Sequence, residues 1–196
     1  MPIPLFVTFS TFGTHLPGDN EGAWRATNGE YVPPSTELSF IVSAGMIRQP
    51  IVLSKRERKI VLEAISDYCW KHKYPLGALN VRSNHVHLLV RLQNIQADVF
   101  CRSIKAFATT RLQKNSLRFQ EIDRIWGKGT NTTRIAGKRE WVAYARYTLE
   151  RQGANDYLTE EEWLYRSRVW IPNAFEIGCP WRVVFDGKKL RWRPKE

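Results

Sequence analysis

His85 and His87 stand two residues apart in Ser83-Asn84-His85-Val86-His87-Leu88-Leu89-Val90, and strand alternation puts both imidazoles on one face. Val86, Leu88 and Val90 then point the other way, into a core. Two neutral imidazoles fixed a few ångströms apart on a rigid strand make half of a divalent-metal site. The plain alternative is a histidine pair on a sheet surface with no ligand. The chain has only 4 histidines, however, and two of them fall in this one strand. The metal reading then requires a third ligand and a group to act beside it.

A second reactive group lies on a helix read over 139–152, which carries Trp141, Tyr144, Arg146, Tyr147, Glu150, Arg151 and Gln152 and stops at Gly153. A tyrosine phenol is a competent nucleophile toward phosphorus once its ionisation is made easier. A phosphodiester polarised by a metal on His85 and His87 would be its partner, and the bond energy would be kept in a phosphotyrosyl link. Taken singly, Tyr147 reads as a packing residue of an amphipathic helix. Tyr144, three residues earlier on the same face, is the rival nucleophile.

Other elements must hold these groups in place. Residues 5–11 alternate β-branched and aromatic types and read as a first strand. The Gly/Pro-rich stretch 13–34 is too long for a hairpin loop and reads as a surface excursion. Ser54 and Glu57 form an S-x-x-E capping box that opens a helix running to about His72. Residues 76–81 and 85–92 form an antiparallel hairpin around Arg82-Ser83-Asn84. A helix over 97–114 has an apolar stripe of Val99, Phe100, Ile104, Phe107, Ala108 and Leu112. Residues 125–135 read as a glycine-broken strand or hairpin. The order is that of an α+β fold, an antiparallel sheet with two helices packed on one face and the histidine face left free. One domain is expected over 1–153, followed over 154–196 by an irregular extension, rich in Trp and basic residues, that ends in Lys188-Lys189-Leu190-Arg191-Trp192-Arg193.

Composition narrows the partners. Lys and Arg number 30 against 19 Asp and Glu, a net charge of +11 that favours a polyanion. The 8 Trp, 7 Tyr and 9 Phe add surfaces on which unpaired bases stack, although most such rings belong in a core. Lys105 and Arg111 on the second long helix, with Lys128 and Arg134 near the glycine-broken strand, are candidate phosphate contacts. The 3 cysteines are odd in number and widely spaced, which excludes a C-x-x-C metal site or a disulfide framework and suits a reducing compartment. No apolar run reaches membrane-spanning length and no signal-peptide pattern opens the chain, so a cytoplasmic protein without membrane contact is expected.

The segment Asn80-Val81-Arg82-Ser83-Asn84-His85-Val86-His87-Leu88-Leu89-Val90, then Ser103-Ile104-Lys105-Ala106-Phe107-Ala108-Thr109, then Tyr147-Thr148-Leu149-Glu150-Arg151-Gln152-Gly153, resembles the single-tyrosine transposases of the HUH superfamily. That group includes the insertion-sequence transposases and the REP-associated tyrosine transposases; the opening Thr8-Phe9-Ser10-Thr11-Phe12-Gly13-Thr14-His15-Leu16-Pro17-Gly18-Asp19 resembles the latter. The resemblance covers residues 5 to about 153. It implies a ferredoxin/RRM-like HUH fold, with helices packed on one face of the antiparallel sheet and the tyrosine helix over the other face, and a DNA transposase that nicks and rejoins a single strand through a 5′-phosphotyrosyl intermediate. It implies His85 and His87 as metal ligands, Tyr147 as nucleophile, Mg²⁺ or Mn²⁺ as cofactor, and single-stranded or hairpin DNA as partner. Relatives work as monomers or as homodimers. The family often places an amide ligand four residues after the tyrosine. Here that position is Arg151, with Gln152 one residue later and Glu150 one earlier. Gln152 is favoured by the resemblance, and Glu150 is the competing ligand.

Two other readings compete. An RRM-like nucleic-acid-binding module without catalysis also uses sheet aromatics, but here the face carries histidines. A cupin-type oxygenase wants a further histidine and carboxylate, and only His15 and His72 remain.

Overall fold

The computed structural model describes residues 3–19, 23–24, 31–150, 181–185 and 190–194. Its centre is a four-stranded antiparallel sheet in the order β4-β5-β1-β6, with β1 Ile3–Ser10, β4 Leu76–Val81, β5 His85–Leu92 and β6 Asn131–Arg134. The long helices α2 (Lys55–Lys71) and α3 (Ala97–Asn115) cover one face and α4 (Lys138–Glu150) crosses the other. Both faces are therefore apolar over part of their area. Val7, Phe9, Val86, Leu88 and Val90 meet Val61, Ile65, Phe100 and Ile104 beneath α2 and α3. Phe6, Ala78 and Leu89 meet Trp141 and Ala145 of α4.

Local chemistry explains the elements. Ser54 Oγ accepts from the Glu57 N–H at 3.3 Å and Glu57 Oε2 accepts from the Ser54 N–H at 2.8 Å, the reciprocal cap expected of this sequence. The hairpin has the strand limits that the apolar alternation predicts, and the Arg82 N–H donates to the His85 carbonyl at 2.7 Å to close its turn. Of residues 125–135, only Asn131–Arg134 forms a strand; Trp126 makes a single bridge to Thr11.

Three features were not anticipated. Helix α1 (Thr36–Ala44) is capped by Ser35 and buries none of its residues, although Leu38, Phe40, Ile41 and Val42 are apolar. Within the 13–34 excursion, β2 (Ala23–Trp24) pairs with β3 (Tyr31–Val32). Within the C-terminal extension, β7 (Trp181–Phe185) pairs antiparallel with β8 (Leu190–Pro194). No helix among the described residues is long and apolar enough to cross a membrane.

Candidate functional site

Register builds the site. Asn80 lies opposite His87, His87 opposite Thr8, and Thr8 opposite Asn131, so one polar row crosses all four strands on the face that α4 covers. His85 lies opposite Ser10 in the next row. The row on the other side is apolar, with Ala78, Leu89 and Phe6 in line, and there α4 packs. The imidazoles therefore sit where a dry patch gives way to a polar one.

The two rings stand with centroids 4.6 Å apart and planes at 76°. His87 is only 6% exposed and its Nδ1 is 3.0 Å from Thr8 Oγ1, while His85 Nδ1 is 2.8 Å from Asn84 Oδ1. An amide oxygen only accepts, so this contact favours the His85 tautomer with its proton on Nδ1, the form that directs the Nε2 lone pair to a ligand. The same tautomer suits His87 with Thr8 as acceptor. A metal-binding imidazole characteristically donates its other N–H to an oxygen in this way. Asn84 is itself anchored: its carbonyl accepts from the Thr11 N–H at 2.8 Å and lies 3.1 Å from the Thr14 hydroxyl. Thr8, Thr11 and Thr14 of the N-terminal segment thus hold the histidine strand, directly or through Asn84.

Tyr147 completes the group. Its ring lies 5.4 Å from that of His87 at 78°, and 5.9 Å from Phe6 at 77°. The residue is 41% exposed. Tyr144 packs more deeply, with its ring 4.6 Å from Phe6.

Two contacts fix α4. Asn80 Nδ2 donates to the Thr148 carbonyl at 2.8 Å, pinning the turn that bears Tyr147 to β4. At the other end Trp141 packs against Gly77, where β4 and β5 shift register; a Cβ on Gly77 would come within 2.3 Å of Trp141 Cζ2. The obstacle is space rather than backbone conformation. Arg91 holds its guanidinium 4.9 Å from the same indole.

The remaining sequence candidates scatter. Lys105 donates to the carbonyls of Gly129 at 2.8 Å and Gly127 at 3.3 Å and sits over the Phe9 ring; burial lowers its pKa below the ordinary lysine value. It closes the glycine loop from within. Arg111 pairs with Asp67 at 2.6 Å on the α2/α3 layer. Arg134 lies opposite Leu5, so its register places it on the sheet face away from the histidines. Lys128 is exposed in the glycine loop. Glu150 is the last residue of α4, and Gln152 lies outside the described residues. Among the described residues no group of three or more His, Cys, Asp or Glu converges that could hold a metal. Much of the basic–aromatic mixture is spent internally, with Arg48 over Phe12 at 4.4 Å and Arg111 over Phe107 at 5.5 Å besides the pairs already described.

Fold and site define an α+β protein whose sheet carries an imidazole pair beneath a tyrosine-bearing helix. The family described as "Transposase IS200 like" matches residues 40–144, more than half of the chain, and the chain belongs to that family. The matched span contains both histidines and ends three residues before Tyr147. Two solved structures are similar. One, a candidate transposase from Deinococcus radiodurans, is 13% identical, with 79% of this chain and 94% of that chain covered and a TM-score of 0.47. The other, a REP-associated tyrosine transposase bound to a REP hairpin, is 12% identical, with 74% of this chain and 63% of that chain covered and a TM-score of 0.44. No curated protein matches.

Proposed function

We propose that the chain nicks and rejoins single-stranded or hairpin DNA by covalent catalysis, with Tyr147 as nucleophile. The observation that carries this reading is the Tyr147 ring standing 5.4 Å from His87 while the residue stays 41% exposed. The family membership and the +11 charge supply the substrate class. An RRM-like stacking platform fits less well, because α4 lies across the face that bases would occupy.

The donor set suits a divalent cation, since each imidazole has its Nδ1 against an oxygen and the rings stand close enough to share one ion. His85 and His87 would hold Mg²⁺ or Mn²⁺, with Gln152 or Glu150 as the further ligand. Once bound, the ion would supply Lewis-acid polarisation of the scissile phosphate. Tyr147 attacks phosphorus: the Oη–P bond forms, the P–O3′ bond breaks, and the phenolic proton passes through solvent to the departing 3′ oxygen. A 5′-phosphotyrosyl link and a free 3′-hydroxyl result, and attack by that hydroxyl reverses the step. Phe6 and α4 keep one side of the phenol dry, while Asn80 holds its helix turn in position. Residues 1–153 form the catalytic unit in this reading, and 154–196 an extension to it.

The test uses single-stranded DNA from the flanks of the gene, labelled at its 3′ end, with Mn²⁺. The wild-type protein should carry the label through a denaturing gel. Tyr147→Phe should abolish the adduct and retain binding that weakens steeply with salt. An adduct that persists in Tyr147→Phe and disappears in Tyr144→Phe would move the nucleophile to Tyr144.

A further inference from the structure

Leu16-Pro17-Gly18-Asp19, which the mechanism does not use, builds a wall beside His85. The Gly18 φ is +91°, and a Cβ there would come within 2.6 Å of the Ser35 carbonyl oxygen, so glycine lets this turn press on the start of α1. Asp19 locks the contact: Oδ2 accepts from the Leu16 N–H at 2.6 Å and Oδ1 from the Ser39 hydroxyl at 3.0 Å. Between turn, α1 and histidine strand lies a cleft of about 580 Å³, whose walls include Thr14, His15, Ser39, Phe40, Asn84 and His85.

The lining decides what fits. The described walls hold no lysine or arginine and Asp19 contributes a carboxylate, a lining that suits a neutral group better than a phosphate. The Thr14, Ser39 and Ser43 hydroxyls donate within the protein and can accept from a neutral polar group, while the Thr36 hydroxyl and the Asn84 amide nitrogen can donate to one. Phe40 is 73% exposed on a helix that buries none of its residues, and an accessible ring among such groups is what an unpaired base stacks on. Asn84 both lines the cleft and orients His85, so a ligand here lies next to the imidazole pair.

We infer that this cleft takes one unpaired nucleobase of the substrate strand, next to the phosphate presented to Tyr147, with Phe40 as the stacking surface. The inference rests on the proposed strand-nicking function and assigns it a base-reading subsite. Binding of fluorescein-labelled single strands about 16 nucleotides long, of dA, of dT and of an abasic backbone, tests it in the full chain carrying Tyr147→Phe. The protein should prefer base-bearing over abasic strands by about tenfold or more. Phe40→Ala should bring that ratio close to one at an unchanged melting temperature, and Phe40→Trp should keep it. A strand containing 5-iodouracil, irradiated on the protein, should mark the peptide that holds Phe40. A ratio untouched by Phe40→Ala, or marking confined to other peptides, overturns the subsite while the Tyr147 adduct still stands. Absence of any adduct in the wild-type protein overturns the nicking reading, and the subsite with it.

Discussion

Replacing Gly77 by alanine adds one methyl group about as far along α4 from Tyr147 as the helix allows, and it should still cost activity. The new Cβ would sit 2.3 Å from Trp141 Cζ2 and 2.9 Å from two further ring atoms, where ordinary contact begins at 3.4 Å. The indole must therefore withdraw by about 1 Å. It has little freedom to do so alone, being 5% exposed and overlain by the Arg91 guanidinium. The helix moves with it. Tyr147 is six residues on, roughly 9 Å along the axis at about 1.5 Å per residue, and belongs to the same rigid element. Overpacking of this kind costs about 1–3 kcal/mol, equivalent to a fall in Tm of roughly 2–12 °C for a chain of this size. A displacement near 1 Å at a reacting group costs on the order of 100-fold in rate.

The assay is the initial rate of adduct formation with labelled single-stranded DNA and Mn²⁺, measured beside a thermal melt. Gly77→Ala should lose both rate and stability. The Trp141→Leu background removes the colliding ring, and Gly77→Ala should then have almost no further effect on either. An equal loss in both backgrounds, or no loss in the wild-type background, would refute the claim that this contact seats the tyrosine helix.

Thr8→Val keeps the shape of the side chain and removes the oxygen beside His87 Nδ1. Mn²⁺ affinity, followed by electron paramagnetic resonance, should drop about 10–100-fold, and Thr8→Ser should restore most of it. Because Tyr147 and His87 meet within one chain, a mixture of Tyr147→Phe and His87→Ala proteins should form no adduct. Recovery of activity on mixing would mean that a second copy supplies the tyrosine. Burial pushes the Cys101 thiol from 9.0 up to about 11. The folded protein thus holds a proton that the unfolded chain releases, and this contribution is intact below pH 9 and lost as pH rises through about 11. Lys105, with its lowered pKa, works in the opposite sense below 10.5. The readout is therefore a comparison: stability of Cys101→Ala should decline less between pH 9 and 11 than that of the parent in chemical denaturation.

What could be read from the sequence follows from which patterns are local. A period of two is enough to put His85 and His87 on one face, and S-x-x-E is enough to start α2, because both are decided within a few residues. Helix α1 was not read, because its apolar residues Leu38, Phe40, Ile41 and Val42 form one short run that periodicity alone does not assign to helix or strand. Lys105 and Arg111 sit on the helix face assigned to them, yet their partners lie 22 to 24 and 44 positions away, where no local pattern reaches.

The same reasoning explains why the supports of the site were harder to read than its reactive groups. Thr8, Asn80 and Asn84 are ordinary polar residues of a strand or a turn. Thr8 and Asn80 acquire their roles from cross-strand register, which sets Asn80, His87 and Thr8 in one row. Asn84 acquires its role from Thr11 and Thr14, some seventy positions earlier, which hold its carbonyl. Register in this sheet is fixed by the apolar side: a one-residue slip of β1 would turn Val7 and Phe9 away from the α2/α3 core and bring Thr8 into it. The polar row is therefore held in line by residues that never touch it. Core substitutions at Val7 or Val86 should disturb the imidazole pair as well as stability, whereas changes on the outer faces of α2 and α3 should leave it alone.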